Sequence, residues 1–331
     1  MKFLNPFVEQ LKPYQVASHK VWEVSEEERN DLLKLDWNEG SIPPSPKVKE
    51  ELVKLVSDES LYRLYPPTYS QRLMALLSEY TGLPQLNVQY FGSSDSLQEY
   101  VSRAVLDKSD RVLVVGPTYD NFRLSAEAQG ASLSFFEMEA PFEFDTELMA
   151  ESIRNLLQHD GAGGALKMVY VCNPNNPTGS AMTENQLIQL VDAFPSLLFF
   201  VDEAYYEFGG VTLAPYVQQR KNLLISRTFS KAFCLAGFRI GYLLGDSELV
   251  AGISKIRNAK SITVFAQAAA CMALEDIDYM RSYVQEVTAA RTAFALFLNQ
   301  YPQFVSAFAS SGNFILMRFQ SSEIKESVLE H

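Results

Sequence analysis

Short apolar runs recur along the middle of the chain, each bounded by Gly, Pro, Asn or Ser, and amphipathic stretches separate them. Val88–Phe91, Arg111–Val115, Lys167–Cys172, Leu197–Val201, Asn222–Ser226 and Arg239–Leu244 are continuous enough in apolar and β-branched residues to predict buried strands. Two helices are predicted between them, one opening at Gly92-Ser93-Ser94-Asp95 and running to about Leu106, the other over Glu184–Ala193. Buried strands alternating with helices predict an α/β architecture with a mostly parallel sheet. Before Pro46 the prolines at 13, 43, 44 and 46 break any long element, so that stretch reads as irregular. After about Val264 the pattern turns helical, with Met280, Val284, Val287, Ala290 and Phe294 at helical spacing in a stretch from Asp278 to Asn299, and a last strand is predicted over Asn313–Phe319. The expected organisation is an N-terminal arm (1–46) that belongs in part to a small α+β domain, a large domain (47–264) and the rest of the small domain (265–331).

Charge changes this picture more than composition does. The chain of 331 residues is 47 % apolar and 21 % charged, an ordinary globular balance, but its formal net charge is −12. Nucleic acid is therefore not an expected partner, because phosphate-backbone binding needs a basic surface. Cys172, Cys234 and Cys271 are scattered with no CxxC pair, which fits reduced thiols and a cytoplasmic location. The N-terminus lacks the apolar core of a signal peptide, and no apolar run reaches membrane-spanning length. His19, His159 and His331 never fall at metal-ligand spacing and no Ser/His/Asp set is apparent, so any chemistry is expected to borrow a cofactor. No internal repeat is visible.

In open α/β sheets ligands bind outside the carboxyl ends of the strands, and several polar residues sit where predicted strands end. Lys231 follows the strand Asn222–Ser226, with the hydroxyls of Thr228 and Ser230 and the guanidinium of Arg239 close in sequence. That mixture suits a phosphate dianion beside an amine able to form a Schiff base with an aldehyde. Asp202 ends an apolar strand, where an unpaired carboxylate is costly and a pyridinium nitrogen would be a natural partner. Asn176 and Tyr205 are placed to meet a ring oxygen, and Tyr119 to stack on a planar ring. Ser93 and Ser94 lie between a strand and a helix start, where backbone N–H groups cradle phosphates. Each also has a plain structural alternative: a surface lysine beside a turn, a solvated strand-end carboxylate, turn-forming asparagine, an N-capping serine, a core aromatic. A nucleotide-binding α/β protein would want a glycine-rich fingerprint after its first strand, and Gly92-Ser93-Ser94 is too poor in glycine for that.

Taken in order, the motifs resemble those of the fold-type I pyridoxal-phosphate-dependent aminotransferases, the histidinol-phosphate aminotransferase branch above all. The resemblance is carried by TFSKAFCLAGFRIGY (Thr228–Tyr242), NPNNPTG (Asn173–Gly179), VDEAYYEF (Val201–Phe208) and LDWNEGSIPPSPKV (Leu35–Val48), and it runs from about Pro13 to Phe319. It implies that Lys231 holds pyridoxal 5'-phosphate covalently and shuttles the substrate proton. Asp202 would pair with the pyridine nitrogen, Asn176 and Tyr205 with the ring oxygen, and Tyr119 would stack on the ring. The phosphate would fall to Ser93, Ser94, Thr228, Ser230 and Arg239. Tyr65 would reach the phosphate of a neighbouring subunit, which requires a homodimer with shared sites, and Tyr14, with Asn176, would close over the substrate. The implied activity is transamination of an amino acid or amino-alcohol phosphate with a keto acid, as in amino-acid biosynthesis. The related threonine-phosphate decarboxylases imply a lyase as the alternative, and a cofactor-binding protein without turnover is a third.

The sequence departs from the family in three places. The family continues past the strand matched by Asn313–Phe319 into a segment whose arginine binds the substrate α-carboxylate, whereas this chain stops at His331. Its final Leu329-Glu330-His331 resembles a vector-encoded tail. Arg318 lies in the preceding strand and does not match that arginine. Tyr14-Gln15-Val16-Ala17-Ser18 lacks the usual glycine, and Ala259-Lys260-Ser261 stands where a proline and an aromatic are common. The first departure implies lost substrate binding energy and orientation. The other two bear on substrate choice and count against histidinol phosphate itself, and the matched cofactor residues stay in place.

Overall fold

The structure, a computed structural model, describes residues 3–14, 20–158 and 164–329. A seven-stranded sheet carries the fold, with β1 (Val88–Phe91), β2 (Asp110–Gly116), β3 (Ser132–Glu137), β4 (Ala165–Cys172), β5 (Leu198–Asp202), β6 (Leu223–Thr228) and β7 (Gly241–Gly245) in the spatial order β1-β7-β6-β5-β4-β2-β3. Pairing is parallel from β6 through β5, β4 and β2 to β3, and β7 runs antiparallel to both of its neighbours. This is the mostly parallel α/β sheet that the apolar runs predict. The small second sheet pairs β8 (Val305–Ala307) with β9 (Met317–Phe319) antiparallel.

The central strands are buried on both faces, which is why they read as continuous apolar runs. Alternate residues feed two cores. Leu113, Val169, Val201 and Ile225 pack on one side, while Val112, Met168, Phe200 and Leu224 pack on the other. At the carboxyl end of β5 the same alternation sends the neighbouring carboxylates Asp202 and Glu203 to opposite faces, a division that organises the site below.

The edge strand β3 and the helix Thr146–Gln158 are absent from the sequence-based reading. β3 pairs only with β2 and is half-exposed, so its apolar run is interrupted. The stretch before Pro46 is less irregular than expected: Asn5 caps a helix over Pro6–Gln10, and Ser25 with Glu28 forms a capping box on Glu26–Asp31. The last strand is shorter than predicted. The Ser310 hydroxyl bonds both the Phe314 carbonyl and the Gly312 N–H, folding a turn where the strand was expected to begin. Arg239 is likewise outside β7, because it ends a short turn in the left-handed conformation, φ 52°.

Gly241 shows how tightly the strand ends are assembled. A Cβ there would lie 2.7 Å from the Arg227 carbonyl oxygen and 2.8 Å from the Ser94 nitrogen. Both obstacles are backbone, so relief requires moving β6 or the helix start. Gly241→Ala is expected to destabilise the protein by about 1–3 kcal/mol, read as a lowered denaturant midpoint with an unchanged slope. An unaltered midpoint would show that the two backbones are not held together.

Candidate active site

The carboxyl ends of β4, β5 and β6 and the start of the helix Ser94–Val105 open into a cleft of about 650 Å³. Its lining holds Lys231, Asp202, Tyr205, Asn176 and Arg239 together with Tyr14, Ser94, Tyr119, Thr228 and Ser230. Residues spread over more than 200 positions of sequence therefore converge, because parallel strands present all their carboxyl ends at one edge of the sheet.

Asp202 is 3 % exposed. Its Oδ1 accepts a hydrogen bond from the Ser226 hydroxyl at 2.9 Å, and its Oδ2 accepts from Gln98 Nε2 at 2.9 Å and the Tyr170 hydroxyl at 3.2 Å. Burial pushes its carboxyl up to about 6, against the lowering effect of Ser226 and Tyr170. Lys231 donates from Nζ to the Trp37 carbonyl at 2.8 Å, and the amine stands 5.5 Å from the Tyr205 ring centre. Burial pulls its pKa down to about 8; Arg239 and Lys34 act in the same direction, while Glu39 and Asp95 oppose them.

The Tyr205 hydroxyl accepts from Asn176 Nδ2 at 3.4 Å and Asn38 Nδ2 at 3.3 Å, and burial raises its pKa. Tyr119 donates to Asp95 Oδ1 at 3.2 Å, and the Tyr14 ring stands edge-on to it at 6.2 Å between centres. Arg239 forms an ion pair with Asp95 Oδ2 at 2.7 Å. The Thr228 hydroxyl donates to Ser230 Oγ at 2.9 Å and accepts from the Ser230 N–H at 3.0 Å, which makes a compact hydroxyl pair at the end of β6.

Two of the expected site residues lie apart. The Ser93 hydroxyl caps the helix by accepting from the Ser96 N–H at 3.0 Å, and Ser93 takes a left-handed φ of 129° that brings the helix start to the cleft. Tyr65 is 81 % exposed on the surface, with Lys260 Nζ 4.7 Å from its ring centre. Arg318, in β9, lies over the Phe308 ring. Gln15–Ser18, His19, His159 and His331 lie outside the described residues.

Sequence reasoning missed Gln98, Tyr170, Ser226, Asn38 and Trp37. Ser226 carried a usable signal, a hydroxyl at the end of an otherwise apolar strand. Gln98 and Tyr170 carried none, since each lies inside an element that reads as packing.

The profile of the family described as aminotransferase class I and II matches residues 30–330. A dihydroxyacetone phosphate transaminase of Campylobacter jejuni is 41 % identical over 298 residues, covering 89 % of this chain and 77 % of the relative. A histidinol-phosphate aminotransferase of Roseiflexus castenholzii is 33 % identical over 291 residues, covering 88 % and 76 %. Among solved structures, the histidinol-phosphate aminotransferase from Sinorhizobium meliloti in complex with pyridoxal-5'-phosphate superposes with a TM-score of 0.81 at 22 % identity, covering 97 % of this chain and 83 % of that one.

Proposed function

The chain belongs to the aminotransferase class I and II family, and from that premise we propose that it is a pyridoxal-phosphate-dependent transaminase acting on a phosphate-bearing substrate. The observation that carries this reading is the convergence of the Lys231 amine, the triply bonded Asp202 carboxylate and the Tyr205 hydroxyl in one cleft. A surface lysine beside a turn would share no cleft with a buried carboxylate. The relatives named for dihydroxyacetone phosphate and histidinol phosphate support the phosphate on the substrate.

The donor set fits pyridoxal 5'-phosphate. Lys231 is the residue to hold it covalently, and Asp202 to hold a proton on its ring nitrogen. Tyr205, whose oxygen already accepts from two amides, has its own proton left to give to the ring oxygen. The Ser94 N–H at a helix start, the Thr228 and Ser230 hydroxyls and Arg239 offer an anion site for the phosphate. When bound, the cofactor supplies an electron sink for the pair of electrons left on the substrate α-carbon. The Lys231 amine, brought down to about 8, is well suited to take that α-proton and return it, since a base works best with a pKa near the working pH. Tyr119 and Tyr14, edge-on to each other in the cleft lining, would wall a bound ring and shield it from water.

We place Ser93 at the same phosphate through its backbone, and Tyr65 at the phosphate of a partner subunit in a homodimer; the exposure of Tyr65 is consistent with a role outside its own cleft. The three free cysteines support a cytoplasmic setting. The large domain would span 47–264, with 1–46 and 265–331 forming the arm and the small domain.

The test is the visible absorption of the protein loaded with pyridoxal phosphate while donors such as glutamate and histidinol phosphate are added. The band of the lysine-bound cofactor is expected to bleach with one donor and to return when a carbonyl acceptor, dihydroxyacetone phosphate or 2-oxoglutarate, is supplied. Carbon dioxide release without bleaching would replace this reading with a lyase, and a band that no donor alters would reduce it to cofactor binding.

A further inference from the structure

Gln98 is fully buried on the helix Ser94–Val105, one turn beyond its start, where a primary amide is costly unless both of its ends are bonded. Both ends are. Nε2 donates to Asp202 Oδ2 at 2.9 Å and lies 3.3 Å from the Tyr170 hydroxyl, which donates to the same carboxylate oxygen at 3.2 Å. Oε1 accepts from Asn121 Nδ2 at 3.4 Å, and this contact orients the amide with its donor towards Asp202. The same Asn121 nitrogen reaches Asp95 Oδ1 at 3.5 Å, and Asp95 Oδ2 pairs with Arg239. The helix thus joins the cation at one end of the cleft to the carboxylate at its base.

We propose that Gln98 is a positioning residue: its amide holds the Asp202 carboxylate ionised and turned so that the remaining lone pairs face a pyridinium nitrogen in the cleft. The inference rests on the cofactor reading above and goes beyond it. Ser226 bonds Oδ1, and Oδ2 is the oxygen that Gln98 and Tyr170 fix. Two donors on that oxygen stabilise the charged form against the pull of burial. Without the amide donor the carboxyl becomes a stronger base, and the proton it shares with the ring nitrogen moves to the carboxyl. A glutamine supplies this donor without adding a charge, and a leucine or methionine of similar size would fill the same volume without it.

The experiment loads the protein with pyridoxal phosphate carrying ¹⁵N in its ring and follows that nitrogen by NMR between pH 6 and 9. The unmutated protein is expected to hold a pyridinium nitrogen throughout. Gln98→Met, close to glutamine in shape, is expected to cut the ratio of protonated to unprotonated nitrogen about tenfold, the effect of losing one charge-assisted hydrogen bond. Gln98→Leu is the second variant, and Tyr170→Phe should move the signal the same way while keeping its stack on Phe122. A methionine or leucine variant that binds cofactor with an unshifted nitrogen signal would overturn the proposal and leave Gln98 a packing residue. Should both variants fail to fold, the unmutated protein decides: the Gln98 side-chain amide resonances must move when cofactor is added, and stationary resonances overturn the proposal. If the unmutated protein binds no cofactor, it is the cofactor reading that fails.

Discussion

Lys231→Ala is expected to lower turnover by on the order of 10⁴-fold while leaving the cofactor-free protein at least as stable as before. The two halves of this expectation have one cause. The amine is held in a cleft that suppresses its charge, with its pKa pulled from 10.5 to about 8 chiefly by burial, and its bond to the Trp37 carbonyl is a single contact. In the proposed roles, alanine would remove the covalent anchor and the proton carrier together but leave the packing of β6 untouched. The sign of the pH dependence follows. Below about pH 8 the folded protein carries a buried charge that the unfolded chain carries in water, so the lysine is destabilising there. Between about 8 and 10.5 the unfolded chain keeps the proton and the folded protein does not, so stability rises with pH through this window. Thermal unfolding of the cofactor-free protein across that range should show the rise in the wild type and lose that contribution in the variant. A variant that kept full turnover would remove Lys231 from the chemistry.

Arg227→Leu is expected to cost about 3–5 kcal/mol of folding stability, the penalty for leaving a buried charge without its partner. Arg227 is 2 % exposed. Its Nε donates to Glu203 Oε2 at 2.9 Å and its Nη1 to the Tyr206 hydroxyl at 3.1 Å, and a further guanidinium nitrogen donates to the Thr212 hydroxyl. The guanidinium stands 3.8 Å from the Tyr206 ring centre, which adds a cation–π contact. Glu203 is satisfied in turn by the Leu213 N–H at 2.8 Å and the Thr212 hydroxyl at 2.9 Å. Glu207 lies nearby, its carboxyl pushed up to about 8 by burial and pulled back by Arg227. Removing the arginine strands the Glu203 charge and loosens the loop after β5 that carries Tyr205. Adding Glu203→Leu to the variant should recover much of the loss, because replacing both partners of a buried pair with apolar groups is far cheaper than removing one. Denaturant unfolding of the single and double variants checks this, and equal stabilities for the two would refute the stranded-charge account.

Much of this molecule is legible in the chain alone. The apolar runs around Arg111–Val115, Lys167–Cys172 and Leu197–Val201 mark strands because a parallel sheet buries both faces and so demands uninterrupted apolar residues. Lys231, Asp202, Tyr205 and Asn176 are recognisable because each follows such a run, and a parallel sheet delivers every carboxyl end to the same edge. These are local properties, written in the backbone period and in the residues where a strand stops.

Only the tertiary structure decided which groups meet. Strand alternation requires Asp202 and Glu203 to face opposite sides, but the packing around the strand ends decides that one carboxylate lines the cleft and the other is sealed against Arg227. Gln98 reads in sequence as part of an amphipathic helix, and its bond to Asp202 spans 104 positions. Asn38 reaches Tyr205 across 167 positions from a stretch that the prolines mark only as irregular. Such partners leave no periodic trace, because a hydrogen bond between distant elements depends on their crossing and separation, and the spacing of residues along the chain records neither.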